Sequence, residues 1–307
     1  MKKNEIVMEQ KETMSRRNAL KTMGVTVATA ALSSTGLSAF AAPAMKDKNK
    51  KRLIFYFTGT GNSLYVAREL AGKSGQLLSI PQIIKGEHLD FEADEIGFVF
   101  PDYAASAPLM VREFASKAHF KAQYIFSVIT FGHFAANVAD WWDDFCKEKG
   151  LQNHYINTLL MVDNYLPVFD MNEQMKIDKK IPENLTQIVN DIASHREYVS
   201  HVNADDRMKE WLKRVQESHF PMEAERLLRL NTETCIACGT CAAVCPHGNF
   251  RMTDTYAEFS GSCEHCLACV HACPQKALTL ERERNPQARF RNENVSLRDI
   301  KEANQQK

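Results

Sequence analysis

The chain lacks several features that mark common classes of protein. Its 38 Lys and Arg residues are balanced by 38 Asp and Glu residues, so no basic excess indicates a nucleic acid or an acidic membrane as partner. It has no G-x-x-x-x-G-K-[ST] or G-x-G-x-x-G run, the signatures of nucleoside triphosphate and dinucleotide sites. No apolar run reaches the roughly 20 residues that a membrane-spanning helix needs. The chemistry must therefore be sought in other motifs, and the cysteines supply them.

Eight of the nine cysteines form two copies of one spacing, C-x2-C-x2-C-x3-C-P. The first copy runs from Cys235 to Pro246 and the second from Cys263 to Pro274. Bacterial ferredoxins bind [4Fe–4S] clusters with this spacing, and the fourth cysteine of each run ligates the other cluster. The sequence thus predicts two [4Fe–4S] clusters and electron transfer. A zinc ribbon and a disulfide framework are the alternatives, but zinc sites close with four ligands and disulfide frameworks suit short secreted chains.

The crossed ligand pattern assigns four cysteines to each cluster. One cluster takes Cys235, Cys238, Cys241 and Cys273, and the other takes Cys263, Cys266, Cys269 and Cys245. Three histidines lie among these ligands, at His247, His265 and His271. We expect them to be solvated or to donate hydrogen bonds to sulfur.

Residues 1–44 are typical of an export signal. Ser15–Lys21 (S-R-R-N-A-L-K) resembles the twin-arginine motif, and a modestly apolar stretch ends in small residues that suit a signal peptidase. The twin-arginine route carries folded proteins, which suits clusters inserted before export. We expect a periplasmic protein, and an uncleaved signal that tethers it to the membrane is the alternative. Residues 45–52 are expected to form a solvated linker.

The next segment has the pattern of an α/β domain, over residues 53–204. Leu53–Phe57 has the length of a strand, and a helical pattern starts at Leu64. The loop between them offers the amino terminus of a helix, hydroxyl groups and glycines to a phosphate. Its candidate residues are Thr58, Gly59, Thr60, Gly61, Asn62 and Ser63. Strands near residues 77–80, 96–100, 124–130 and 155–162 alternate with helices, which predicts a doubly wound parallel sheet.

Two later loops are expected beside the same ligand, because the carboxyl ends of parallel strands meet at one edge of a sheet. These loops span residues 101–108 and 130–137. Tyr103 is the aromatic residue expected against a flavin ring, with Phe134 second. The alternative is that each ring packs beneath its own loop.

The order of these motifs resembles the EFR-type ferredoxins, which are flavodoxin–ferredoxin fusions. The matching runs are F-T-G-T-G-N-S, F-P-x-Y, T-x-G, D-N-Y-L-P at residues 163–167 and the two cysteine runs. The resemblance implies an FMN-binding flavodoxin-like half that exchanges electrons with two clusters. The third loop has less glycine than is usual in this family, and the export signal is an addition to its pattern.

The rest of the chain is predicted in three parts. A helical connector spans residues 205–230, a small α+β ferredoxin-like domain spans residues 231–282, and a mobile tail spans residues 283–307. The ninth cysteine, Cys146, lies in a tryptophan-containing helical pattern and is expected to be buried.

Three functions remain open from the sequence. The first is an exported electron carrier that couples FMN to two [4Fe–4S] clusters, with redox proteins or a small acceptor as partners. The second is a flavin-dependent reductase of a small acceptor such as a quinone, for which Asp102 and His133 are the acid–base candidates. The third is a two-cluster ferredoxin with an empty flavodoxin scaffold.

Overall fold

The computed structural model describes residues 50–202, 205–219 and 222–305. The predicted export signal and the first five linker residues lie outside these ranges. Among the described residues, no helix is long and apolar enough to cross a membrane.

The first half of the chain alternates strands and helices. In order they are β1 (Arg52–Tyr56), α1 (Asn62–Ala71), β2 (Gln76–Ser79), α2 (Ile80–Ile83), β3 (Asp90–Glu92), β4 (Glu95–Pro101), α3 (Leu109–Lys117), β5 (His119–Lys121), β6 (Tyr124–Phe131), α4 (Val138–Glu148), β7 (Tyr155–Leu160), α5 (Met171–Gln174), α6 (Ile181–Ala193) and β8 (Tyr198–Val199). Six strands form a parallel sheet in the order β2-β1-β4-β6-β7-β8. Without the small β3–β5 pair, this is the flavodoxin-like order 2-1-3-4-5 with one edge strand added. The predicted α/β fold is confirmed.

The central strands are largely apolar because helices cover both faces of the sheet. All five residues of β1 and the first six of β4 are buried. Phe98 contacts both Phe55 and the indole of Trp142, which is fully buried on α4. Cys146, on the same helix, is also fully buried, as predicted. This core holds the carboxyl ends of the strands, and hence their loops, in fixed positions.

The second half begins with the 14-residue helix α7 and continues with short elements around the two cysteine runs. They are α7 (Asp206–His219), β9 (Met222–Glu223), α8 (Ala224–Leu227), β10 (Leu228–Leu230), α9 (Thr240–Val244), β11 (Phe250–Met252), β12 (Ala257–Phe259), β13 (Ser262–Cys263), α10 (Ala268–Ala272), β14 (Leu278–Leu280) and α11 (Leu297–Asn304). The antiparallel pairs β10–β14 and β11–β12 flank α9 and α10. This is the predicted small α+β domain. The predicted connector differs, because its last three residues already form strand β10 of this domain.

The end of the predicted linker is part of the fold. Arg52 lies opposite Glu95 in the β1–β4 register, and its guanidinium reaches the buried Glu95 carboxylate at 2.5 Å. Lys50 also binds this carboxylate. Burial alone would raise the pKa of Glu95, but the hydrogen bonds from Arg52 and Lys50 outweigh it and hold the pKa below its ordinary value. The solvated-linker prediction is therefore wrong for Lys50 and Arg52, because a buried carboxylate needs paired cations.

The predicted mobile tail is also packed into the fold over residues 283–305. Phe290, Val295 and Ile300 are buried, and α11 begins at a capping box between Ser296 and Asp299. The polar composition that suggested mobility belongs to the outer face of an amphipathic helix. The mobile-tail prediction is wrong for these residues.

This C-terminal segment joins the two halves of the chain. Asn304 is fully buried, and its side-chain amide donates to Thr58 O and to Val244 O, both at 3.0 Å. One asparagine therefore links the loop after β1 to helix α9 of the ferredoxin domain. The backbone N–H of Asn292 adds a bond to Thr60 O at 2.9 Å.

We expect Asn304→Ala to lower the free energy of unfolding by about 1–3 kcal/mol, because two buried carbonyls lose their donor. Urea unfolding of anaerobically prepared protein measures this change. Gln305→Ala is the matched control, since the neighbouring Gln305 is exposed. Equal stability of the two variants would contradict the linking role of Asn304.

Candidate functional site

A cavity of about 420 Å³ lies at the carboxyl ends of the parallel strands. The loop after β1 forms one side of it, and the loops after β4 and β6 contribute Tyr103 and Phe134. The predicted cofactor residues that line it are Thr58, Gly59, Thr60, Asn62, Ser63, Tyr103 and Phe134. The structure thus brings together all of the predicted cofactor residues except Gly61, which belongs to the same loop but does not line the cavity.

Gly61 shapes the loop rather than touching the cavity. It caps α1 with φ +102°, a conformation that favours glycine, and its N–H donates to Thr58 Oγ1 at 3.1 Å. A Cβ on Gly61 would also lie 3.0 Å from Val295 Cβ. Because the first N–H groups of a helix have no acceptor within it, this turn presents them to the cavity, where they suit an anion.

The side chains of the loop are held by partners from elsewhere in the fold. Thr60 Oγ1 accepts from Asn164 Nδ2 at 2.6 Å, which leaves the Thr60 O–H to donate. Ser63 Oγ shares a hydrogen bond with Thr130 Oγ1 at 2.9 Å. Such fixed neutral hydroxyls and backbone N–H groups fit a phosphate monoester.

The loop after β4 turns at two alanines and carries a half-buried acid, Asp102. Ala104 and Ala105 have φ of 55° and 58°, and Tyr103 and Ser106 pair across the turn. Burial raises the pKa of Asp102 well above its ordinary value, although the N–H groups of Ala105 and Ser106 oppose the shift. Asp102 Oδ1 has no hydrogen-bond partner in the described part of the chain. A neutral Asp102 would present an O–H donor at the cavity wall.

A second acid lies on the other side of the cavity. Asp163 packs so closely on Gly132 that a side chain at position 132 would collide with its carboxylate. Burial raises the pKa of Asp163, and the charges of Lys179 and His133 partly offset the rise. The one glycine that the third loop retains is therefore required by Asp163.

The aromatic residues of the cavity divide into half-buried and exposed ones. The Tyr103 hydroxyl lies 3.1 Å from the place that a Cβ on Gly59 would take, at the inner wall. Phe134 is 52% exposed, and Trp211 of α7 is 53% exposed; both line the cavity. Trp211 lies in the segment predicted only as a helical connector, residues 205–230. Sequence periodicity gave no signal that it reaches this site.

The cysteines line two smaller cavities. Each cavity is lined by three cysteines of one run and the fourth cysteine of the other. One is lined by Cys235, Cys238, Cys241 and Cys273, and the other by Cys245, Cys263, Cys266 and Cys269. In the described part of the chain, no three His, Cys, Asp or Glu side chains gather as tightly as one metal ion would require. The crossed arrangement matches the predicted ligand sets.

The surroundings of the cysteines suit thiolate ligands. Backbone N–H groups donate to sulfur, from Asn249 to Cys245 at 3.4 Å and from Ala277 to Cys273 at 3.2 Å. Burial raises the pKa of Cys266 well above its ordinary value, so a free thiol there stays protonated. Iron binding replaces that proton, and N–H donors to sulfur help set cluster potentials. The donor set fits [4Fe–4S] clusters.

The second cysteine run is in direct contact with the large cavity. A Cβ on Gly59 would lie 2.6 Å from Cys266 O, so only glycine permits this approach. His265 and Leu267, on either side of Cys266, line the large cavity. One ligand loop therefore separates the large cavity from the cavity of the second set.

Two buried residues of this run hold the halves together. Glu264 accepts from the backbone N–H of Met110, near the start of α3, at 2.6 Å. His271 donates from Nε2 to Asn164 O at 2.9 Å and accepts at Nδ1 from Phe290 N at 3.0 Å. Burial lowers the pKa of His271 to about 4. The expectation of a solvated histidine or a donor to sulfur is wrong at His271, because both ring nitrogens bind backbone.

Comparison with known proteins gives the class of the C-terminal part. Residues 227–274 match the family model of the 4Fe-4S dicluster domain. The chain is 47% identical over 47 residues to a component of the ion-translocating oxidoreductase complex of Methanosarcina acetivorans, covering 15% of this chain and 18% of that protein. It is 34% identical over 62 residues to the PorD component of pyruvate synthase from Methanocaldococcus jannaschii, covering 18% and 65%. The chain thus spans less than two thirds of each relative.

Two solved structures are similar to about half of the chain. A protein assigned as a flavoprotein from Bacteroides uniformis aligns with TM-score 0.32 and 15% identity, over 47% of this chain and 99% of that one. A similar assigned flavoprotein from Bacteroides eggerthii aligns with TM-score 0.30 and 14% identity, over 46% and 99%. The strand order described above, with the domain match, defines a flavodoxin-like α/β fold followed by a 4Fe-4S dicluster ferredoxin domain.

Proposed function

We propose that the protein is an electron carrier in which FMN in the large cavity exchanges electrons with two [4Fe–4S] clusters. The observation that carries this proposal is the shared wall around Cys266. His265 and Leu267 line the proposed flavin cavity, while Cys266 between them lines the second cysteine set. Bound FMN accepts one or two electrons and each cluster passes one, which joins two-electron donors to one-electron acceptors.

The residues of the chain would bind, orient and insulate these groups. The α1 amino terminus, Thr60 and Ser63 would hold the phosphate. Tyr103 and Gly59 close the wall between flavin and cluster, and the neutral His271 fixes the ligand helix α10 to Asn164. Hydrogen bonds link Thr60 to Asn164 and Asn164 to His271. They hold the phosphate loop in place relative to the second cysteine run.

Flash photoreduction of the loaded protein tests the coupling. One electron delivered per chain should redistribute between the flavin and the clusters, as their absorbance bands report. The rate of this redistribution should not depend on protein concentration. Such a rate is expected because donor and acceptor share one wall. A rate that rises in proportion to protein concentration would mean transfer between molecules and would overturn the proposal.

A reductase of a small acceptor is the second candidate, and the two half-buried acids of the cavity favour it. Asp102 and Asp163 both have raised pKa values, and His133 lies in the same cavity wall. This candidate predicts that Asp102→Asn slows quinone reduction and leaves redistribution between flavin and clusters unchanged. An electron carrier without this activity reduces quinone at the same slow rate with or without the substitution.

Redox proteins are the proposed partners. The two curated relatives are named as components of an oxidoreductase complex and of pyruvate synthase. Their similarity spans 47 and 62 residues of this chain, and it supports a one-electron exchange with a protein partner.

Export by the twin-arginine route is part of the proposal and rests on Ser15–Lys21. Arg16→Lys combined with Arg17→Lys should leave the precursor in the cytoplasm, as seen by fractionation. Normal export of that variant would contradict the prediction.

A further inference from the structure

Helix α7 lies over the large cavity instead of only connecting the two halves. Its middle turn supplies Trp211, Leu212 and Val215 to the cavity wall. Most of its other described residues are exposed. The helix therefore covers an opening of the cavity without belonging to the main core.

One apolar side chain anchors the helix. Leu212 is 2% exposed and forms a separate hydrophobic cluster with Ala105 and Ala136. Gln216 adds a hydrogen bond from Nε2 to Ala105 O at 2.7 Å. Since Ala105 belongs to the loop after β4 and Ala136 to the loop after β6, α7 bridges two of the loops that line the cavity.

The anchor coincides with an unusual backbone at both loops. Ala105 and Ala136 have φ of 58° and 47°, in the left-handed region that glycine adopts without cost. Alanine keeps this conformation only where the surroundings impose it. Here both alanines belong to one hydrophobic cluster with Leu212, to which glycine would contribute no methyl group. The strain therefore occurs where two loops form a seat for one leucine.

Trp211 is next to Leu212 in the sequence of α7. It is 53% exposed and shares the cavity wall with Phe134, which is 52% exposed. Two large aromatic side chains from different elements thus stay half-exposed at one cavity. Such rings are suited to contact a planar aromatic ligand.

We propose that α7 is the outer wall of the cofactor site and that Trp211 contacts the ring system of bound FMN. The inference rests on the proposed function and adds a binding residue to it. Leu212 acts as a positioning residue, because it touches the loops and places α7.

Titration of the cluster-loaded apoprotein with FMN and with riboflavin tests the inference. Trp211→Ala and Leu212→Ala should each weaken both ligands about tenfold, since a ring contact does not distinguish the phosphate. Trp211→Phe should restore most of the affinity. Met208→Ala is the matched control, because Met208 is exposed on the same helix and does not line the cavity. FMN should also quench tryptophan emission less in Trp211→Ala than in the control.

Each outcome decides one point. If the wild type binds FMN and the Trp211 and Leu212 variants match Met208→Ala, α7 is not part of the site and the inference is overturned alone. If the wild type binds neither ligand, the proposed flavin function is overturned and this inference with it. Weakening by Leu212→Ala with normal binding by Trp211→Ala would remove Trp211 from the site.

Discussion

Cys245→Ala should remove iron from the cavity whose other three cysteines belong to the second run, Cys263, Cys266 and Cys269. The reason is the crossed arrangement, in which Cys245 completes that set although it lies in the first run. Iron and acid-labile sulfide should fall from about eight to about four per chain. Cys273→Ala should cause the same loss at the other cavity.

The two variants differ in their effect on the flavin cavity. The set that Cys245 completes includes Cys266, whose neighbours His265 and Leu267 line the flavin cavity, so Cys245→Ala should stop redistribution of electrons with the flavin. Cys273→Ala should leave this step in place. Cys146→Ala is the control, because Cys146 is buried in the core of the sheet domain and lines neither cysteine cavity. Full iron content in Cys245→Ala would contradict the crossed assignment.

The double variant Thr60→Ala, Ser63→Ala should bind FMN more weakly by about two to four powers of ten. Each hydroxyl that bonds a charged phosphate contributes about 1.5–3 kcal/mol, and 1.4 kcal/mol corresponds to a factor of ten. Both hydroxyls are held in place by the fold, Thr60 by Asn164 and Ser63 by Thr130. Titration of the apoprotein, followed by flavin fluorescence, measures the change.

Riboflavin is the internal control for this variant, because it carries the ring without the phosphate. Its affinity should be nearly unchanged. Thr186→Ala combined with Ser194→Ala removes the same two hydroxyl types from exposed positions on and just after α6, and should bind FMN like the wild type. Equal affinity of the wild type for FMN and riboflavin would show that the loop after β1 binds no phosphate.

The sequence was sufficient for features that depend on local pattern. Alternating apolar strands and helices predicted the parallel sheet, because strands buried on both faces are apolar throughout. The loop between Phe57 and Leu64 was identified by its glycines and hydroxyls. The repeated cysteine spacing predicted which four cysteines share each cavity, since the crossing is a property of that spacing.

Features that depend on contacts distant in sequence were missed. Asn304 reaches Thr58 across 246 positions, and no local pattern marks such a bond. The many polar residues of α11 suggest a mobile tail, although Ile300 on the same helix is buried. Trp211 fits the apolar periodicity of a helix, which does not tell that the helix lies on two loops of another domain. The sequence around His271 does not indicate its two backbone partners, Asn164 and Phe290, which are distant along the chain.

The central claim is that one chain holds FMN and two clusters in electronic contact. The most direct measurement is a reductive titration of anaerobically purified protein, with released FMN, iron and sulfide quantified in the same sample. One FMN, about eight iron and eight sulfide per chain are expected, with uptake of about four electrons, two by the flavin and one by each cluster. A chain that contains zinc without sulfide, or one that takes up about two electrons and binds no FMN below millimolar concentration, would contradict it.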